Sequence, residues 1–171
     1  MTWLFIFIPF LLQGIIMAFD EGYFHLRRGL PVWERIGHPL DTLSVLICLA
    51  YALFVPYSPD HLKTFIILSL ISCIMVTKDE FVHKHVCPRN EMWLHALLFS
   101  LHPLILLSTA LIWVYTTSPS PPAWLSIWLK HPDILGAFLL FQFFLVIGFF
   151  LYQIVFWNFV WGKRNGIRDQ Q

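Results

Sequence analysis

DILGAFLLFQFFLVIGFFLYQIVFWNFVW, residues 133–161, carries one charge, Asp133 at its start, and three amides, Gln142, Gln153 and Asn158. A helix crosses the hydrocarbon of a bilayer with about 20 mostly apolar residues and satisfies its own backbone as it does so. This run is long enough with residues to spare. Its amides are expected to hydrogen-bond across to neighbouring helices.

Working outward, four more apolar runs have the same character: 3–25, 41–55, 62–85 and 91–115. The second is short for a span and suits a tilted helix or one flanked by interfacial turns. The expected fold is all-α: a polytopic membrane helix bundle of five transmembrane helices, forming a single transmembrane domain over residues 1–171. The stretch Pro56-Tyr57-Ser58-Pro59-Asp60 and the Ser/Thr/Pro loop over residues 116–122 punctuate the helices. Trp124, Ile127 and Trp128 then suit a membrane interface. Between the first two runs, Pro31 is placed to open a short interfacial helix through Trp33, Glu34 and Arg35. The N-terminus lacks a basic n-region, so the first run is expected to be a retained helix and not a cleaved signal.

Composition agrees. Of the 171 residues 58% are hydrophobic and 12% charged, against about 25% charged in soluble domains. Basic residues sit beside apolar runs and form no solvated stripe, so no nucleic-acid partner is expected. The three cysteines, Cys48, Cys73 and Cys87, form neither a CxxC pair nor a disulfide framework.

Charge placement sets the expected orientation. With five crossings, Arg27, Arg28, Arg35, Lys78, Lys84, Arg89, Lys163, Arg164 and Arg168 share one side, and only Lys63 and Lys130 fall on the other. Positive residues collect on the cytoplasmic side. The N-terminus is therefore expected outside and the C-terminus inside, in the inner membrane if the source is bacterial.

The same threading gathers the acids and histidines. Asp20, Glu21, Glu34, Asp41, Asp79, Glu80 and Glu91 fall on the cytoplasmic side together with His25, His38, His83, His85, His95 and His102. Their spacing is helical. Glu21 and His25, Asp79 and His83, and Glu91 and His95 are four apart, so each pair shares a helix face. Glu80 and His83 form an E-x-x-H pair, His38 and Asp41 are three apart, and His102 lies two turns beyond His95. Carboxylates and imidazoles together suit iron, manganese or zinc. Helix-bundle dimetal sites are built from Glu and E-x-x-H pairs on facing helices, although this chain has one such pair where those sites use two. An ionisable group at hydrocarbon depth is costly unless paired, and a metal ion offsets that cost.

The expected metal set is Asp20, Glu21, His25, His38, Asp41, Asp79, Glu80, His83, His95 and His102. Glu34 beside Arg35 is expected to form a solvated surface salt bridge. Glu91, in the first turn of its helix, is as readily a cap-region acid meeting the macrodipole as a ligand. No nucleophile elbow, phosphate loop, H-E-x-x-H or H-x-x-H-H box is present.

The functional expectation is an integral membrane metalloprotein with its site at the cytoplasmic side. Iron, in a mononuclear or dinuclear centre, is favoured over zinc or manganese. Such a protein would be an oxidoreductase of hydroxylase, desaturase or oxidase type, acting on a lipid-like substrate from the bilayer, with a redox partner or a second copy as further associates. Three alternatives stay open: a zinc-dependent lipid hydrolase, a b-type haem electron carrier, and a non-catalytic membrane subunit whose polar cluster satisfies itself.

Overall fold

The computed structural model describes residues 2–78 and 87–161 of the chain. Its regular structure is helical throughout, with no strand among the described residues. Five helices are long and apolar enough to cross a membrane: α1 (Trp3–Arg28), α2 (Val32–Phe54), α3 (Pro59–Thr77), α4 (Arg89–Thr117) and α6 (Pro132–Trp161). Between the last two lies the short α5 (Ala123–Trp128), the Trp-rich segment.

The surface is suited to hydrocarbon. In α1, α3 and α6 only 11% of the most apolar window is buried inside the bundle. Ile66, Ile67, Leu70, Ile71 and Ile74 of α3 and Phe141, Phe144 and Leu151 of α6 face outward. Exposed apolar area on this scale is untenable for a monomer in water.

The core is thin and lies between helices in two clusters. One centres on Phe10, Leu49, Ile105, Ile112, Leu135 and Leu139. The other packs Cys48, Ala52, Phe65 and Leu106 around the fully buried Trp113. At this end of the bundle the Trp113 indole donates to the Val55 carbonyl at 2.7 Å, and the Tyr57 amide donates to the Thr117 hydroxyl at 3.1 Å. Ser58 caps α3 by accepting the His61 amide, with Pro59 in the first turn, a position where proline costs no hydrogen bond.

The second helix departs from expectation. It starts at Val32 and runs unbroken to Phe54, where the apolar pattern gave a short span over 41–55. The cause is the turn before it. Gly29 adopts φ 76°, ψ 159°, a conformation open to glycine alone. Pro31 then stands as the N-cap residue, and the Arg35 guanidinium donates to the Leu30 carbonyl at 2.7 Å. Buried ion pairs, described below, keep the polar turn Glu34–Arg35 helical. Pro39 is absorbed within the helix.

Both α1 and α6 widen into π-helix near their C-terminal ends, at Asp20–His25 and Phe156–Trp161. A π-turn inserts a residue into the helical ladder, rotates the side chains around it, and is frequent at functional sites. Here it swings Asp20 and His25 into the interior.

A Cβ at Gly29 would sit 3.4 Å from the Trp161 indole nitrogen, and no L side chain adopts its backbone angles without strain. Gly29→Ala is expected to cost about 1–3 kcal/mol. A lowered melting temperature of the detergent-solubilised protein, against no change for Gly14→Ala in open space, checks this.

Candidate metal centre

The ends of all five long helices meet at one end of the bundle, and ionic contacts record the meeting. Arg28, at the end of α1, donates to both carboxylate oxygens of Glu34 on α2, at 3.3 and 2.9 Å. Its Nη2 also donates to Glu91 Oε1 on α4 at 2.8 Å. Lys78, just past α3, pairs with Asp41 of α2. From α6, the Tyr152 hydroxyl and the Trp157 indole donate to Glu21 Oε1 at 2.8 and 2.6 Å.

Glu34 and Glu91 are both fully buried. This overturns the reading of Glu34 as a solvated surface salt bridge. Glu91 lies in the first turn of α4, as expected, and there it is buried. The reason is Arg28: a guanidinium can satisfy two carboxylates at once through its planar fork, so both can leave water.

Asp20, His25, Glu91 and His95, all buried, each offer one ligand atom within 4.8 Å of the other three. His25, Glu34 and His38 form a second group on the same criterion, sharing His25. His25 and His38 stack with ring centroids 5.2 Å apart. These groups could hold a metal ion.

The protonation pattern around His25 is informative. Its Nδ1 faces Glu21 Oε2 at 2.8 Å and must donate, because a carboxylate only accepts. In the neutral imidazole Nε2 is then a bare lone pair. It faces Asp20 Oδ2 at 3.3 Å and Glu91 Oε1 at 3.7 Å, both acceptors. His95 Nε2 meets the same Asp20 oxygen at 3.2 Å. Acceptors facing one another in a dry interior repel unless a cation lies between them, either a second proton on the ring or a metal ion. A metal-bound histidine commonly donates its other ring N–H to a carboxylate, which is the relation His25 has to Glu21. Asp20 Oδ1, Glu91 Oε2 and His25 Nε2 have no hydrogen-bond partner among the described residues.

Among the described residues, Arg28 bonds two of the four acids at this end, Glu34 and Glu91, while Asp20 and Glu21 face His25.

The other expected residues are placed differently. Asp41 is engaged by Lys78, which also donates to the Gly37 carbonyl at 3.3 Å. His102 is buried but lies outside both groups, and its Nε2 meets Ser72 Oγ at 2.9 Å, which in turn meets Ser44 Oγ at 2.7 Å. Asp79, Glu80 and His83, with Lys84 and His85, lie outside the described residues. Of the amides of α6, Gln153 does bond across helices, accepting from Thr42 at 2.7 Å. Asn158 instead donates to the Ile154 carbonyl of its own helix. Burial, with the nearby Glu91 carboxylate, pushes the Cys87 thiol up to about 12, so it stands protonated and is no nucleophile.

Arg28, Glu34 and Glu91 were missing from the expected metal set, as were the Tyr152 and Trp157 donors that hold Glu21. Glu91 had a signal, its four-residue spacing to His95. The contacts of Arg28, Tyr152 and Trp157 cross between helices and leave no local pattern.

A cavity of about 330 Å³ adjoins the cluster, within the range of small-molecule sites. Asp20, Glu21, His25, His38 and His95 line one end of it, and the rest is mostly apolar, from Phe10, Met17, Leu49, Val146 and Phe149.

Arg28→Met would strand two buried carboxylates, and breaking a buried pair by removing one partner costs about 3–5 kcal/mol. The expected result is severe loss of thermal stability in detergent. Arg28→Lys should lose less, and adding Glu34→Gln to Arg28→Met should restore part of the loss. A neutral outcome for Arg28→Met would remove Arg28 as the strut of this end.

We find no family model, no curated protein and no solved structure that matches this chain.

Proposed function

We propose that the protein is a multi-pass membrane metalloprotein, with a metal centre on the cytoplasmic side and an oxidoreductase activity toward a lipid-like substrate. The observation that carries this reading is the group of Asp20, His25, Glu91 and His95, with the His25 imidazole oriented by Glu21. Two carboxylates and two imidazoles make a donor set for iron, manganese or zinc, and all four are buried with their ligand atoms within 4.8 Å of one another. Iron is favoured because the cavity beside the group is apolar, and redox chemistry on hydrocarbon needs a metal that changes oxidation state. Bound there, such a metal would supply electron transfer to and from a substrate.

The chain's own residues do the rest. Asp20, His25, Glu91 and His95 bind the ion. Glu21, held by Tyr152 and Trp157, fixes the ring orientation of His25. Arg28 holds Glu91 in place. The apolar walls exclude water and admit a hydrocarbon chain. Glu34 and His38, next to His25, are the natural place for a second ion. Orientation follows the excess of Lys and Arg at the cluster's end of the bundle, with the N-terminus outside and the C-terminus in the cytoplasm. Reporter fusions should report a cytoplasmic C-terminus, and an external one would reverse this assignment.

Metal analysis of detergent-purified protein tests the centre. Wild type prepared without chelator should carry stoichiometric transition metal. His95→Ala should lose it, and Glu21→Gln should weaken its retention about 10–100-fold against a competing chelator, as altered orienting groups do. Iron would support the oxidoreductase, and zinc would move the protein to the hydrolase class. Metal-free wild type, with a doubly protonated His25, would end the metal reading.

A further inference from the structure

The cavity lies inside the bundle, with α1 and α6 forming one side of it and α2 and α4 most of the rest. Helices α1 and α6 touch at its two ends. At one, Phe7 and Phe10 meet Phe138, with ring centroids 4.4 and 5.0 Å apart. At the other, Glu21 takes its bonds from Tyr152 and Trp157. Between these clasps α1 packs mainly on α4. It turns Gln13, Gly14, Met17 and Ala18 to the cavity, opposite Gln142 and Val146 of α6.

Gln13 stands out in this lining. Its side-chain carbonyl oxygen is buried and has no hydrogen-bond partner among the described residues. An orphaned amide at hydrocarbon depth is costly. Gln13 lies three residues past Phe10 and Gln142 four past Phe138. Because Phe10 and Phe138 are in contact and both helices run toward the metal group, the two amides stand at one level, a turn inside the aromatic clasp. Gln13 is seven residues before Asp20, or roughly 10 Å along the helix.

We infer that Gln13, with Gln142, forms a second polar station in the cavity, which binds the hydroxyl group of a single-chain lipid. A hydroxyl suits an amide oxygen because it donates to the acceptor and can accept in turn. A chain anchored there runs along the cavity between Met17 and Val146 and brings hydrocarbon, not its polar group, beside Asp20, His25 and His95. The inference deepens the proposed function and rests on the same cavity. It narrows the substrate class to an amphiphile whose polar group is held roughly 10 Å from the metal group.

Paired probes of equal chain length test this, 1-dodecanol and dodecane, added at matched mole fraction to protein in detergent. Thermal stability is read with and without metal. The alcohol should raise the melting temperature of wild type clearly more than the alkane does, in metal-free as in metal-loaded protein. Gln13→Met, close in shape but unable to donate or accept an amide bond, should erase that difference while keeping bound metal. Gln142→Met should reduce it. Equal shifts by the two probes in wild type would overturn the station, and would mean that Gln13 is served by a trapped water. An alcohol preference that survives Gln13→Met would also overturn it. Metal content separates this inference from the function it rests on. Wild type that purifies without metal, no chelator having been used, and still prefers the alcohol would sink the metal reading and leave the station. Metal-loaded wild type with no preference would do the reverse.

Discussion

A carboxylate leaves water only when a positive charge or strong donors go with it, and this end of the bundle buries Asp20, Glu34 and Glu91, two of them on one guanidinium. Arg28 bridges Glu34 and Glu91 and thereby ties the end of α1 to the beginnings of α2 and α4. Glu21 is held by neutral donors from α6. The contacts that make these acids tolerable are also the contacts that close this end of the bundle, so architecture and site are one problem. Removing the acids in favour of apolar side chains would relieve the desolvation cost. Their concentration here is therefore evidence for a use that apolar packing does not serve.

The local backbone is shaped to the same end. The π-turns of α1 and α6 lie where their side chains meet across Glu21. Each departs from the regular ladder that a span in hydrocarbon favours. Gly29 and Pro31 then reverse the chain so tightly that Glu34 comes back onto Arg28 only six residues away. Set beside an apolar cavity, the result is a charged group and a hydrocarbon space sharing one wall. Low dielectric strengthens every interaction in the group, and the cavity beside it is walled mostly by apolar side chains.

Much of the fold was legible in the chain. The five helices long and apolar enough to cross a membrane follow from runs of apolar residues, since a bilayer demands a fixed length and an internally satisfied backbone. The gathering of acids and histidines at one end follows from counting crossings. Helix ends were read less well where polar residues continue a helix. The turn from Glu34 to His38 has the composition of an interface, yet it is helical and interior because its charges are paired by residues of other helices.

What the sequence by itself determined is that the chain is helical and has five helices long and apolar enough to cross a membrane, since this depends on composition and on spacing along one chain. Only the tertiary structure decided which of the ionisable residues meet. Asp20, His25, Glu91 and His95 converge, Asp41 is taken by Lys78, and His102 turns to Ser72. A π-turn redirects a helix face and a guanidinium selects its two carboxylates across space. Neither has a signature in local spacing: Arg28 meets Glu34 by way of a turn and reaches Glu91, 63 residues on, only through the packing of α1 and α4.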